Sequence, residues 1–384
     1  MHFEFATATR IIFGPNTVNE VPQAAASLGR RVLLVTGATL ERAAPLVQQL
    51  RERSLEVLTF SIMGEPTTTD VSEGVRRARE AGCDLIIGLG GGSVLDAGKA
   101  IAALLSNGGE PLDYLEVIGR GQPITQPAAP YIAVPTTAGT GSEVTKNAVL
   151  HSPEHRVKAS IRSPFMLPRL AVVDPTLTYT TPPSVTAGAG LDALTQLIEP
   201  YVSTKANPMT DALCREGMRR VARSLRRAYQ NGNDAPARED MALASLFGGI
   251  ALANAALGAV HGLAGPLGGF YTAPHGMICA RLLPYVMAVN VRALRTRLPD
   301  SPALQRYEEI ARLLAGNPAA SAEDGAAWVE KLCADLDIPP LARWGVTQED
   351  FPVLIVAAQK ASSTKGNPIL LTDEELAEVL ERAL

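Results

Sequence analysis

The chain has no run of basic residues. Its 384 residues include 35 Lys and Arg against 39 Asp and Glu, a net charge of -4 with the two signs interspersed. A nucleic-acid surface needs a concentrated positive stripe, so nucleic acid is excluded as a partner. There is no CxxC pair either: the four cysteines, Cys83, Cys214, Cys279 and Cys333, are scattered. That spacing suits neither a zinc ribbon nor a disulfide framework, and the thiols read as small buried hydrophobes in a reducing compartment. The N-terminus, MHFEFATATRIIFG, lacks a basic segment followed by an apolar core. No signal peptide is expected, and the expected location is the cytoplasm. Repeats and low-complexity tracts are missing as well. From Met241 to Ala280 there is no Asp, Glu, Lys or Arg. A long uncharged run is the usual sign of a membrane-spanning helix. This one is built from Ala and Gly and is interrupted by Asn254, His261, Pro266 and His275. It is expected to be a helix buried in a core, followed by a tight loop, with no membrane partner.

What is present is ample apolar material. Hydrophobic residues make up 46% of the chain and charged residues 19%, enough for large packed cores. The length suggests roughly two or three domains. In the first half, short apolar runs alternate with amphipathic stretches. RVLLVTG, LEVLTFS, DLIIGLGGGS, YIAVPTTAGTGSE and RLAVVDP read as strands, with VSEGVRRAREAG and VLDAGKAIAALLS as helices between them. This alternation implies an open α/β sheet of parallel strands with helices on both faces. FEFATATRIIFG reads as a pair of extended segments outside that sheet, available to pair across a dimer. After about Pro182 helical patterns dominate, and the boundary is drawn at 182/183: an α/β domain, 1–182, and an all-α domain, 183–384. Ser184 could cap a helix that stops before Pro200. Asn207-Pro208 starts another, with Asn as the cap and Pro in the first turn. NGNDAPARED (231–240) reads as a solvated loop. Further helices are expected at 303–315, 321–337, 347–363 and 372–383.

Two loops at strand ends carry chemistry. Gly91, Gly92 and Ser93 follow the DLIIGL strand and open a helix, where backbone N–H groups and the helix dipole favour a phosphate. The segment is not the GxGxxG fingerprint, and alone it reads equally as a plain turn. Thr136, Thr137, Thr140 and Ser142 follow a second strand in PTTAGTGSE. Small hydroxyl donors suit phosphates, ribose and a carboxamide, although a Ser/Thr turn bonded to itself has the same composition. Two such loops in one sheet point to a dinucleotide. RVLLVTG ends in Gly37, where an acidic residue would select NAD, so NADP is admitted and slightly favoured. Thr36, Thr39 and Arg42 are possible phosphate contacts or plain surface residues.

Asp192 and Gln196 lie four residues apart in GLDALTQLIEP, so on a helix they share a face. His261 and His275 bracket the Gly-rich HGLAGPLGGFYTAPH. A carboxylate and two imidazoles brought together would hold a first-row transition metal that polarises a carbonyl. A lone His in an apolar stretch is otherwise a satisfied core residue, and the residues by themselves leave both readings open. His2, His151 and His155 have no partners of this kind.

The chain resembles the iron-dependent (group III) alcohol dehydrogenase family along nearly its full length. The resemblance rests on IIFG at 11–14, GEPT at 64–67, GLGGGSVLDAGKA at 88–100, PTTAGTGSE at 135–143 and DP at 174–175. It continues in GLDALTQLIEPYVS at 190–203, HGLAGPLGGFYTAPHG at 261–276 and TKGNP at 364–368. It implies a dehydroquinate synthase-like architecture with a coenzyme-binding α/β domain, a helical domain, a cleft between them and a homodimer. It also implies NAD(P)H-dependent interconversion of small alcohols with aldehydes or ketones. The family's coenzyme positions fall on Gly91, Gly92, Ser93, Asp96, Thr136, Thr137, Thr140, Ser142 and Lys158. Its metal positions fall on Asp192, Gln196, His261 and His275, for Fe(II) or Zn(II), with His261 and His275 as the candidate catalytic residues. The nicotinamide is then expected across the Thr136–Ser142 loop, facing the metal.

Two departures stand out. The family's site has one Asp and three His, and here Gln196 replaces a His; a neutral carboxamide is a poorer ligand, so the metal is expected to bind weakly. The family often has a further His for proton relay, where this chain has Gly265. Three alternatives follow. A metal-free, maleylacetate reductase-like enzyme would reduce an acidic oxo-substrate with His261 or His275 as acid, but that branch typically loses the Asp kept here. A sugar-phosphate cyclase would need a Lys/Arg cluster that 190–280 lacks. A decayed nucleotide-binding homologue would bind coenzyme without turnover.

Overall fold

The structure, a computed structural model, describes residues 2–155 and 157–384. It divides into two compact units. The first comprises residues 6–137 and 141–178; the second comprises 179–384 together with 138–140 and the segment up to Phe5.

The first unit is an α/β layer structure. In chain order it contains β1 (Ile11–Phe13), α1 (Val21–Ala26), β2 (Arg31–Thr36), α2 (Ala44–Glu52), β3 (Glu56–Ser61), α3 (Thr68–Glu80), β4 (Leu85–Gly90) and α4 (Gly92–Asn107). There follow α5 (Pro111–Tyr114), β5 (Tyr131–Pro135), β6 (Asn147–Ser152), β7 (Val157–Arg162) and β8 (Leu170–Val173). Six strands form one parallel sheet in the order β1-β8-β5-β4-β2-β3. The apolar runs are continuous because both faces are covered. Leu33, Val35 and Ile86 pack with α3 and α4 on one side, whereas Val32, Leu34, Leu85 and Ile87 pack with α1 and α2 on the other. The strand order reverses between β2 and β4. In such sheets ligands bind beyond the carboxyl ends of strands at that reversal.

One expectation for this unit is corrected. Ile11–Phe13 is not outside the sheet: it is the edge strand β1, parallel to β8. Three half-buried residues at an edge give too short a pattern to reveal the pairing. The antiparallel β6–β7 hairpin was not anticipated, although NAVLHS carries the alternating burial of a strand with one covered face.

The second unit is helical: α6 (Pro183–Val202), α7 (Pro208–Gln230), α8 (Ala235–Ala255), α9 (Ala259–Phe270), α10 (His275–Arg297), α11 (Pro302–Ala315), α12 (Ala322–Asp335), α13 (Phe351–Lys360) and α14 (Asp373–Ala383). Asn207 caps α7 through the Thr210 N–H, as expected. Ser184 is no cap, because α6 has already begun at Pro183, and α6 does not stop before Pro200 but contains it. In the last turn of a helix walled in by neighbours, one missing N–H is tolerated. The segment 231–240 is not all solvated loop: α8 starts at Ala235, and Arg238 and Asp240 are buried. The uncharged stretch is not one helix and a loop. It spans most of α8, all of α9 and the start of α10, with Pro266 inside α9. Glycines admit neighbours here: a Cβ on Gly262 would lie 2.0 Å from Thr364 Oγ1. The expected helix at 347–363 is shorter as α13, with single 3-10 turns on either side. By length and composition α10 could cross a membrane, yet 78% of its apolar window is buried inside the protein.

Candidate active site

The two sequence-predicted loops of the first unit meet. Gly91 precedes the first turn of α4 with no side-chain cap, so no capping side chain occupies the first N–H groups, including those of Gly92 and Ser93. A Cβ on Gly91 would lie 3.3 Å from Thr137 Oγ1, and the Thr136 N–H donates to the Gly90 carbonyl at 2.9 Å. Other glycines of the motif serve packing: a Cβ on Gly88 or Gly98 would strike Tyr131 at 2.4 Å or 2.9 Å. Residues 138–140, with Thr140, belong to the helical unit, where Gly139 lies against Ala189 of α6.

Asp96 and Ser142 engage each other. Ser142 Oγ donates to Asp96 Oδ1 at 2.5 Å, and the Val149 N–H donates to Asp96 Oδ2 at 3.0 Å. Beneath them Lys99, fully buried, donates to Ser142 Oγ, Thr145 Oγ1 and the Asn147 carbonyl at 2.7–2.9 Å. Lys158 lies on β7 in an ion pair with Glu65.

Burial pushes the carboxyl of Glu143, in this same loop, from 4.5 up to about 7, against the pull of its own backbone N–H and of Lys99. Unfolded, the group ionises near the usual value, so the folded state alone keeps the proton between the two. Folding stability is therefore lost as pH rises through that window. Glu143→Gln removes the loss. The variant is expected to be more stable than the parent by up to about 3 kcal/mol at pH 8, with the gap closing below pH 4.5. Urea midpoints at the two pH values measure it, and an equal difference at both would refute it.

In the second unit, four candidate residues converge. On α6, Asp192 and Gln196 share a buried face, and the Gln196 Nε2 amide donates to Asp192 Oδ2 at 3.0 Å. His261 Nε2 stands 3.4 Å, and His275 Nε2 3.9 Å, from Asp192 Oδ1. The two imidazole rings lie 5.5 Å apart between centroids. His275 opens α10 rather than lying in a loop, and its side chain keeps 37% exposure, whereas Asp192 keeps 2%. His261 is in the first turn of α9, which follows a 100° bend from α8 at Ala256 (φ 63°).

Sequence reasoning missed two residues here. Glu199 lies one turn beyond Gln196 on the same face of α6. Its Oε1 accepts from the Val260 N–H at 2.7 Å, and its Oε2 accepts from His261 Nδ1 at 2.6 Å. With Asn367 Oδ1 accepting from the Ala259 N–H at 3.1 Å, it satisfies the buried N-terminus of α9. It also fixes the imidazole so that Nε2 faces Asp192. The signal was the spacing 192, 196, 199, one face of a helix. Cys279, read as an ordinary buried thiol, lies one turn after His275, with Sγ 3.6 Å from His275 Nε2.

The electrostatics suit a cation. Burial alone would raise the Asp192 carboxyl, but His261, His275 and Gln196 hold it below the usual carboxylate range. Burial likewise works against a charged His261, yet Cys279, Glu199 and Asp192 push that imidazole well above its ordinary value. The imidazole thus keeps a proton that a dication would displace. Asp192 Oδ1 and Gln196 Oε1 are buried without a hydrogen-bond partner. An orphaned carboxylate oxygen facing two imidazoles, with an orphaned carboxamide oxygen one turn along the helix, is what a divalent ion satisfies, so the residues fit one.

The sequence matches the family described as "Iron-containing alcohol dehydrogenase" over residues 8–175 and "Fe-containing alcohol dehydrogenase family, C-terminal" over residues 186–384. It is similar to the 1,3-propanediol dehydrogenase of Klebsiella pneumoniae, 36% identical over 99% of this chain and 98% of that protein. It is 34% identical to the NAD-dependent methanol dehydrogenase of Bacillus methanolicus, over 97% of each. The crystal structure of a 1,3-propanediol oxidoreductase superposes with a TM-score of 0.92 at 36% identity, covering 100% of both chains. The chain belongs to the iron-containing alcohol dehydrogenase family, oxidoreductases that interconvert alcohols and aldehydes using NAD(H) and a divalent metal ion.

Proposed function

We propose that Asp192, His261 and His275, with Gln196 beside them, hold the divalent ion, and that the enzyme reduces small aldehydes or oxidises the corresponding alcohols. The observation that carries this is the orphaned acceptor Asp192 Oδ1 facing two imidazoles, with a second orphaned acceptor, Gln196 Oε1, one turn along the same buried face of α6. A bound ion supplies Lewis-acid polarisation of the carbonyl, and the coenzyme supplies the hydride. The protein orients the donors: Glu199 sets His261, and Gln196 sets Asp192.

The coenzyme phosphates are assigned to the N-terminus of α4 at Gly91, Gly92 and Ser93, with Thr136, Thr137 and Thr140 as hydroxyl or backbone partners. Asp96 and Ser142 brace that loop, and Lys158 on β7, paired with Glu65, is assigned as a further contact. Gly37, just beyond β2, has nothing within 4 Å of where its Cβ would lie. That open space accepts a 2′-phosphate, so NADPH is taken as well as NADH. A Cβ on Gly265 would also meet open space; with no side chain at this position to relay a proton, water, the coenzyme ribose hydroxyls or another group delivers it. We place the enzyme in the cytoplasm as a homodimer.

The test is turnover of NADPH and NADH with a panel of small aldehydes, before and after removal of metal by a chelator. Activity with both coenzymes is expected, with loss on chelation and recovery on adding a divalent metal. Turnover that persists in metal-free protein would contradict the assignment.

A further inference from the structure

Within the described residues, Asp192, His261, His275 and Cys279 bring their candidate ligand atoms within 4.8 Å of one another. Cys279 is fully buried and reaches the group from α10, one turn beyond His275. Gln196 occupies the place on α6 from which a strong ligand would otherwise come. Its Nε2 is spent on Asp192 Oδ2, and its Oε1 is a neutral donor. The set on α6 and α9 is therefore short of one strong ligand, and α10 carries a thiol at the rim of the gap. The unpartnered Asp192 Oδ1, facing both imidazoles, independently marks this spot as built for a cation.

We propose that the Cys279 thiolate is the fourth strong protein ligand of the divalent ion, so that the site is an Asp-His-His-Cys set in which Gln196 is a positioning residue. This rests on the reading that the helical unit holds a divalent ion. Metal binding releases the thiol proton and leaves an anionic sulfur donor. The added negative charge makes up for the neutral carboxamide. A soft donor among nitrogen and oxygen ligands also tilts the set toward zinc and away from iron.

Cobalt(II) is the probe, because it reports sulfur ligation in its absorption spectrum. Metal-free protein is titrated with Co(II), and the spectrum is followed for the wild type and for Cys279→Ser. The wild type is expected to bind one Co(II) per chain, with visible d–d bands and an intense near-ultraviolet thiolate-to-cobalt band. In Cys279→Ser at saturating Co(II), the d–d bands are expected to remain and the charge-transfer band to vanish. Affinity is expected to fall more than about 100-fold, beyond the loss typical of an outer hydrogen-bond partner. Wild-type d–d bands without the charge-transfer band would overturn the assignment of Cys279 and leave the metal site standing. So would a band that survives in Cys279→Ser, since it would then belong to another thiol. Absence of any Co(II) spectrum in the wild type would overturn the metal reading itself. The wild-type spectrum decides the question even where the serine variant does not fold.

Discussion

Replacing Asp192 with alanine is expected to empty the proposed metal site and to lower kcat/KM for aldehyde reduction by at least about 10³-fold, the loss of several kcal/mol of charge stabilisation. Asp192 is the hub of the cluster. Its Oδ1 faces both imidazoles, at 3.4 Å and 3.9 Å, and its Oδ2 accepts from Gln196. Without it the donors on α6 and α9 reduce to one imidazole and a neutral carboxamide, and the anionic ligand that is 2% exposed is gone. Coenzyme binding is expected to stay unchanged, because Gly91–Ser93 and Thr136–Thr137 belong to the other compact unit. The measurement is metal content by elemental analysis beside initial rates and coenzyme titration. A metal-free reductase would respond differently: with His261 or His275 as the acid, turnover would survive the substitution. Rates close to those of the parent, in protein that never carried metal, would therefore decide for that alternative.

Most of the sheet was legible because its strands are buried on both faces. Continuous runs such as RVLLVT and LIIGLG need no alternation to be read, and the parallel order follows from the helices between them. What failed was local. β1 is three residues long and half-buried, and the β6–β7 hairpin lies apart from the helix–strand alternation. In the helical unit, glycine and proline misled. GLAGPLGGF looks like a loop by composition, yet it is α9, because burial among neighbouring helices outweighs weak propensity. That error carried into the site. Asp192 and Gln196 could be paired from spacing alone, and Glu199 follows from the same periodicity. Cys279 could be paired with His275 only once His275 was known to begin a helix, and a loop reading hides the one-turn relation.

The second large effect is expected from Gly276→Ala, next to His275. A Cβ at this position would lie 2.6 Å from the Gly188 carbonyl oxygen, 2.8 Å from the Gly188 carbonyl carbon and 3.3 Å from the Ala189 nitrogen. All three are backbone atoms of α6, so no side chain can swing aside, and the start of α10 must move away from α6. Gly188 lies one turn before Asp192 on α6, and Gly276 lies between His275 and Cys279 on α10. The strain is thus delivered to the donors that must close on one ion. Metal–ligand bonds tolerate errors of only about 0.2 Å, so a shift of a few tenths of an ångström already opens the set. Turnover is expected to fall about 100-fold, with metal affinity falling alongside and stability lower by about 1–3 kcal/mol from overpacking. Gly265→Ala supplies the contrast within the same Gly-rich region. Its Cβ would meet nothing within 4 Å, and in a helix interior alanine is the better residue by roughly 0.5–1 kcal/mol. That variant is expected to be as stable as the parent or more so, with its metal retained. Thermal melting, metal content and initial rates on the two variants separate close backbone packing from a general intolerance of side chains near the site. Equal behaviour of the two would refute the claim that Gly276 is glycine because α6 and α10 must touch there.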